Sequence, residues 1–140
     1  MSENFKILAK YIKDMSSETP NTETYLFVKD NISKYQLGIN IDSKAIKSQL
    51  IEVNTNLKFE DKENSKLRSY FEISFITIVK VDEKIKDKNV LQKIVLCDVQ
   101  KKIYDDLEKS MLNLLHNSGY EAISFEKKID FDELYKKNFS

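Results

Sequence analysis

Lys93–Gln100, KIVLCDVQ, is the stretch on which the fold turns. Laid out as an extended strand, it puts Lys93, Val95, Cys97 and Val99 on one face and Ile94, Leu96, Asp98 and Gln100 on the other. The first face belongs against a core. The second mixes apolar residues with an acid, which suits a sheet surface covered by another element or by another polypeptide. Placed this way, Lys93–Gln100 is a strand and the rest of the chain is the scaffold that presents it.

Upstream, the charged run Asp82–Lys88, DEKIKDK, reads as a solvated hairpin connection back to a long strand, Leu67–Val81. That strand aligns Phe71, Ile73, Phe75, Thr77 and Val79 on one face, and Tyr70, Glu72, Ser74, Ile76 and Ile78 on a face that is only half polar. The polar cluster 61–66 makes a turn, and Ile46–Asp61 supplies a further strand through Leu50, Val53, Thr55, Leu57 and Phe59. The cleanest alternation is Tyr35–Asp42, YQLGINID, which sets Tyr35, Leu37, Ile39 and Ile41 against Gln36, Gly38, Asn40 and Asp42. Lys29–Ser33 reads as a break. Met15–Glu23, with the only proline at Pro20, reads as a loop, because Pro20 lacks a backbone donor and biases Thr19 towards an extended conformation. Phe5–Asp14 is expected as a first strand with Phe5, Ile7 and Ala9 on one face and Leu8 and Ile12 on the other; a short helix fits almost as well.

Downstream, the period changes from Asp105. Leu107, Met111, Leu114 and Leu115 recur at helical spacing, Asp105, Asp106 and Glu108 suit a helix N-terminus, and Asn117-Ser118-Gly119 stops it. A closing helix comes next, with Asp130 as N-cap, Glu133 three residues on, and Leu134 and Tyr135 as apolar contacts. Strands first and helices last define an α+β class, an antiparallel sheet in a meander or Greek-key order, within a single domain over residues 1–140.

Composition removes most function classes. Twenty-three basic and twenty-three acidic residues cancel, without the basic excess of a nucleic-acid binder. No apolar run is long enough to insert in a membrane, and the N-terminus never reaches the apolar core of a signal peptide, so a cytoplasmic protein is expected. His116 has no second imidazole and no cysteine at ligand spacing, which argues against a metal site. Cys97, the only cysteine, alternates with valines and reads as a small buried hydrophobe. Gly38 and Gly119, the only glycines, build no phosphate-cradling loop. Neither a catalytic residue nor a cofactor is expected, and a binding protein remains.

Three motifs narrow that class. Tyr11-Ile12-Lys13-Asp14-Met15-Ser16-Ser17-Glu18-Thr19-Pro20-Asn21 resembles the N-terminal signature of the bacterial export chaperone family SecB, Tyr-x-Lys-Asp-hydrophobic-Ser-x-Glu-x-Pro-Asn. Leu96-Cys97-Asp98-Val99-Gln100 resembles that family's Leu-Cys-Glu-Val-Gln strand, and Ile129-Asp130-Phe131-Asp132-Glu133-Leu134-Tyr135 is similar to the start of its last helix. The resemblance implies a four-stranded antiparallel sheet followed by two helices, assembled as a homotetramer, a dimer of dimers. It also implies ATP-independent binding of unfolded preproteins in apolar grooves and delivery to the translocation motor SecA. Carried over by motif, the acidic SecA-facing surface would comprise Asp14, Glu18, Leu96 and Asp98. A looser match of pattern makes Tyr35, Leu37, Ile39 and Ile41 the client groove. Two other functions fit the same residues: a SecB-like chaperone dedicated to the antitoxin of a toxin–antitoxin system, and an adaptor whose apolar sheet surface serves only assembly with one folded partner.

Overall fold

In the computed structural model, which describes residues 4–63, 65–120, 123–125 and 129–139, period-two alternation produces four strands. They are β1 (Phe5–Glu18), β2 (Tyr35–Lys47), β3 (Leu50–Asp61) and β4 (Tyr70–Val81), hydrogen-bonded in the order β1-β4-β3-β2 with every pair antiparallel. The β2–β3–β4 run is a meander of hairpins. β1 joins on the far side of β4, so the chain must cross the sheet between β1 and β2.

That crossing is helical. Where the sequence suggested a loop at Met15–Glu23, β1 continues to Glu18 and α1 (Thr22–Asp30) begins almost at once. Asn21 starts it: its Oδ1 accepts the Thr24 amide at 2.8 Å, satisfying one of the donors a helix start leaves open. The expected break at Lys29–Ser33 is the last turn of α1 followed by a short 3-10 turn, Ile32–Lys34. The strand expected from Ile46 instead begins at Leu50. Ile46 and Lys47 end β2, and the hairpin turns at Ser48 and Gln49, the latter at φ 69°.

The largest correction falls on Lys93–Gln100, which is helical. Asp87 caps α2 (Lys88–Lys93) by accepting the Asn89 amide at 2.8 Å. The chain then passes without interruption through a π-helical turn, Ile94–Asp98, into α3 (Val99–Asn117). The segment Asp82–Lys88 therefore leads from β4 into a helix rather than into a fifth strand. Its apolar residues satisfy both periods, and only the longer window separates them: Leu91, Val95, Val99, Ile103, Leu107, Met111 and Leu115 recur every fourth residue, one side of a helix. Val95, Cys97 and Val99 are buried as expected, but in a helical layer whose inner side also takes Ile94, Gln100, Ile103 and Leu107. Asp105, Asp106 and Glu108 consequently lie within α3 and not at its start. Gly119 ends the helix at φ 100°, a conformation suited to glycine. Asp130 caps α4 (Phe131–Phe139), its Oδ1 accepting the Glu133 amide at 3.1 Å.

Helices cover one face of the sheet. Val53, Leu57 and Phe59 of β3 and Phe71, Ile73, Phe75 and Val79 of β4 are buried against α3 residues Ile103, Leu107, Met111 and Leu115. An aromatic chain runs through the core: Tyr35 to Phe59, Phe59 to Phe71 and Phe71 to Tyr120, with ring centroids 5.3, 6.3 and 5.7 Å apart. A fully buried polar bridge also crosses the layers, where Thr55 donates to the Gln100 side chain at 3.0 Å and Gln100 donates to the Val95 carbonyl in the π turn at 3.2 Å.

β1 carries two bulges, between Ile7 and Ala9 and between Ile12 and Asp14. Each inserts one residue and reverses the facing of the residues beyond it. Ala9 thus opposes Ile78 on the uncovered face, while Ile12 opposes Phe75 on the helix face with Phe5 and Ile7; simple alternation predicts the reverse.

Candidate functional surface

The uncovered face of the sheet has an acidic end. Register places Glu18 opposite Tyr70, Ser16 opposite Glu72 and Asp14 opposite Ser74; on the next strand, Asn56 stands opposite Ser74 and Lys58 opposite Glu72. Asn56 donates to Glu72 Oε2 at 2.6 Å and to Ser74 Oγ at 2.9 Å, and the Tyr70 hydroxyl donates to Glu72 Oε1. These bonds hold the Glu72 carboxyl below the usual carboxylate range, first through Tyr70 and then through Asn56. Burial, followed by the Glu72 contact, pushes Tyr70 up to about 12. At neutral pH the pair is a fixed carboxylate and a neutral phenol. With Asp14 and Glu18 exposed on β1, the result is a negatively charged patch anchored by Glu72.

Leu96 and Asp98 do not join it. Both are half-buried in the π turn, in the layer packed on the opposite face. Their neighbourhood is a knot between α3 and α4: Lys101 Nζ lies 2.7 Å from Asp132 Oδ2, and the buried Cys97 thiol donates to Asp132 Oδ1 at 3.1 Å. Burial, then the Asp132 contact, pushes the thiol up to about 11, so Cys97 is a docking donor for α4 and not a thiolate. Glu72 and Tyr70 are the patch residues that sequence reasoning misses. Their signal is the half-polar face of β4, which becomes specific only once register aligns it with Asp14 and Glu18.

A second surface lies along β2, an edge strand whose outer side pairs with no other strand among the described residues. Leu37, Ile39 and Ile41 stand opposite Phe59, Leu57 and Thr55, half-buried on the helix face. Tyr35, grouped with them by alternation, is buried at the base of the stripe. Its hydroxyl donates to the Ser69 carbonyl at 2.9 Å and accepts the Ser69 amide at 2.7 Å. The opposite edge, β1, exposes Leu8, Tyr11, Ile12 and Met15.

No group of three or more His, Cys, Asp or Glu among the described residues could hold a metal ion. His116 is exposed with Nε2 3.2 Å from the Ile123 carbonyl. Two edges, an apolar stripe and an acidic patch define a class of protein that works by binding other polypeptides. The chain belongs to the SecB family: the model of that family, preprotein translocase subunit SecB, matches residues 1–140. It is 60% identical to the putative protein-export protein SecB of Pelagibacter ubique, over 98% of each chain. It is 22% identical to the protein-export protein SecB of Rhodospirillum centenum, over 92% of this chain and 76% of that protein. Among solved structures, a SecB-like chaperone of Mycobacterium tuberculosis in complex with an antitoxin peptide superposes with a TM-score of 0.65 at 10% identity, covering 89% of this chain and 91% of that one. The family is one of chaperones, and no helix among the described residues is long and apolar enough to cross a membrane.

Proposed function

We propose that the chain holds non-native polypeptides along β2, without enzymatic activity of its own, and passes them to SecA through the acidic end of the sheet. The observation that carries this is the coexistence of an unpaired, regularly alternating apolar edge with a charged patch on the other face of the same sheet. Clients differ in sequence. A receptor for them must rely on backbone pairing and non-directional apolar burial, and a few hundred Å2 of contact at about 25 cal/mol per Å2 gives several kcal/mol, enough to hold a chain yet release it. Leu37, Ile39 and Ile41 form the contact stripe with Tyr35 as its base. Asp14, Glu18 and Glu72 form the SecA-facing patch, with Tyr70 between Glu72 and Glu18; Leu96 and Asp98 are set aside because they lie in the helix layer.

Pairing of two copies is proposed through β1, and two such dimers associate as a homotetramer, a dimer of dimers, in the cytoplasm. Lys6, Lys10 and Lys13 occupy one part of this strand and Asp14 and Glu18 the other. A second copy running antiparallel sets the basic part against the acidic part and covers Leu8, Tyr11, Ile12 and Met15. A narrower role, service to a single antitoxin, is favoured by the fold shared with the antitoxin-bound mycobacterial chaperone. Suppression of the aggregation of a slowly refolding client, alongside SecA binding by wild type and Glu72→Lys, tests the proposal. Suppression of several unrelated clients together with SecA binding that Glu72→Lys abolishes supports export. Protection of an antitoxin alone, with no SecA binding, sinks export and supports the narrower role.

A further inference from the structure

Glu72 stands directly opposite Lys58 across the β3–β4 pair, the placement in which opposite charges on one sheet face ordinarily meet. They form no salt bridge, and the exposed Lys58 forms none with any other described residue. The carboxylate bonds elsewhere. Its Oε2 accepts from Asn56, the diagonal neighbour on β3, at 2.6 Å, and its Oε1 accepts from the hydroxyl of Tyr70, two residues back along β4. Asn56 Nδ2 also donates to Ser74 Oγ at 2.9 Å, which fixes the amide over this part of the face. Tyr70 first and Asn56 second depress the Glu72 titration, and Lys58 adds the least of the three.

Two neutral donors thus take the place that a cation would fill. A carboxylate bound by neutral groups keeps its charge, whereas one paired with an ammonium group presents little net field to a partner. Elsewhere on this face the acids do pair: Glu52 with Lys44 at 3.5 Å and Glu60 with Lys62 at 3.7 Å. Asp14, Glu18 and Glu72 form no salt bridge among the described residues, so the acids spared are those of the patch.

We infer that Asn56 and Tyr70 are positioning residues that hold the Glu72 carboxylate away from Lys58 and so reserve its charge for a basic side chain of the partner. The inference rests on the SecA-facing reading of the patch and adds how its charge is kept available. Each Glu72 oxygen accepts one bond within the sheet and retains a second lone pair for an incoming guanidinium or ammonium group. A carboxylate fixed beforehand also has less freedom to lose when that partner arrives.

The test is a cycle of variants, each checked for folding by circular dichroism. Asn56→Ala/Tyr70→Phe frees Glu72 to turn onto Lys58, and Lys58→Met removes that alternative. SecA binding, read by titration calorimetry, should weaken about fivefold in Asn56→Ala/Tyr70→Phe, the size of a surface ion pair. Adding Lys58→Met should restore it by a larger factor than the same substitution strengthens wild type. No loss in the first variant, or an equal gain from Lys58→Met in both backgrounds, overturns the inference. An NMR titration of the Glu72 side-chain carboxyl reads the clamp without SecA. Lys58→Met should raise that titration more in the Asn56→Ala/Tyr70→Phe background than in wild type, since only there does the pair form. The neighbouring acids Asp14, Glu18 and Glu60 are present in both backgrounds and cancel from the comparison. Equal shifts overturn the clamp whatever SecA does. Unequal shifts in a protein whose wild type ignores SecA reject the SecA reading alone.

Discussion

The two edge strands of the sheet present the same backbone groups to their surroundings and differ in nearly everything else. β1 is interrupted by two bulges, divides its lysines from its acids, and is tied to the helix layer by Lys10 to Asp106 at 3.0 Å and Ser17 to Ser118 at 2.9 Å. β2 runs without a register shift from Tyr35 to Ala45 and offers a plain apolar stripe. Bulges and segregated charge allow few registers, which suits a partner met in one geometry. Smooth alternation tolerates many. The contrast separates a strand suited to a fixed mate from a strand suited to changing guests.

The largest effect that could break this contrast comes from placing charge on each edge in turn. Ile12→Lys/Met15→Lys on β1 should break the proposed β1 pairing between copies, seen as a fall of native mass below that of wild type, because like charges then face each other across a twofold axis. Ile39→Lys on β2 should leave that mass unchanged and abolish client protection. If the β2 variant dissociates and the β1 variant does not, the roles are reversed. Next in size is the crossing that separates the edges. Gly119→Ala introduces a Cβ 2.6 Å from the Tyr25 ring at a backbone angle L-residues avoid, and should cost about 2–3 kcal/mol in denaturant unfolding. Asn21→Ala removes the cap of α1 and should cost about 1 kcal/mol by the same measurement. The smallest effect concerns pH. Since the folded-state Glu72 carboxyl titrates below its ordinary range, its stabilisation is complete above that range and disappears as pH falls through the lowered value. Acid unfolding of Glu72→Gln should therefore show a shallower loss of stability below about pH 4 than wild type; equal slopes would remove Glu72 as a fixed anchor of the patch.

Much of the sheet is legible in the sequence because strands with one buried face must alternate. Tyr35–Asp42 and Leu67–Val81 show it plainly, and the α+β class comes from them. Lys93–Gln100 passes for a strand because a run dense in Ile, Val, Leu and Cys satisfies two periods at once. Only the four-residue rhythm from Leu91 to Leu115, together with the Asp87 cap, shows the helix. Val95 and Cys97 are buried under either geometry, which is why the core assignment survives a wrong element. The faces of β1 cannot be obtained by counting, since each bulge changes parity without a glycine or proline to mark it. Half of the acidic patch is within reach: Asp14 and Glu18 stand in a recognisable motif, whereas Glu72 becomes their neighbour only through pairing between strands distant in sequence.

That pairing also imposes an order in time. β2, β3 and β4 are joined by short connections and can zip up as soon as they emerge, while Phe5 must wait for Val81 and Glu18 for Tyr70. Of the four strands, the one that comes first in this sequence can pair only with the one that comes last. Until then the meander has β4 as a bare flank, and Leu8, Tyr11 and Met15 travel on an unanchored leader. A newly made copy therefore passes through an interval in which it resembles the clients of its own family.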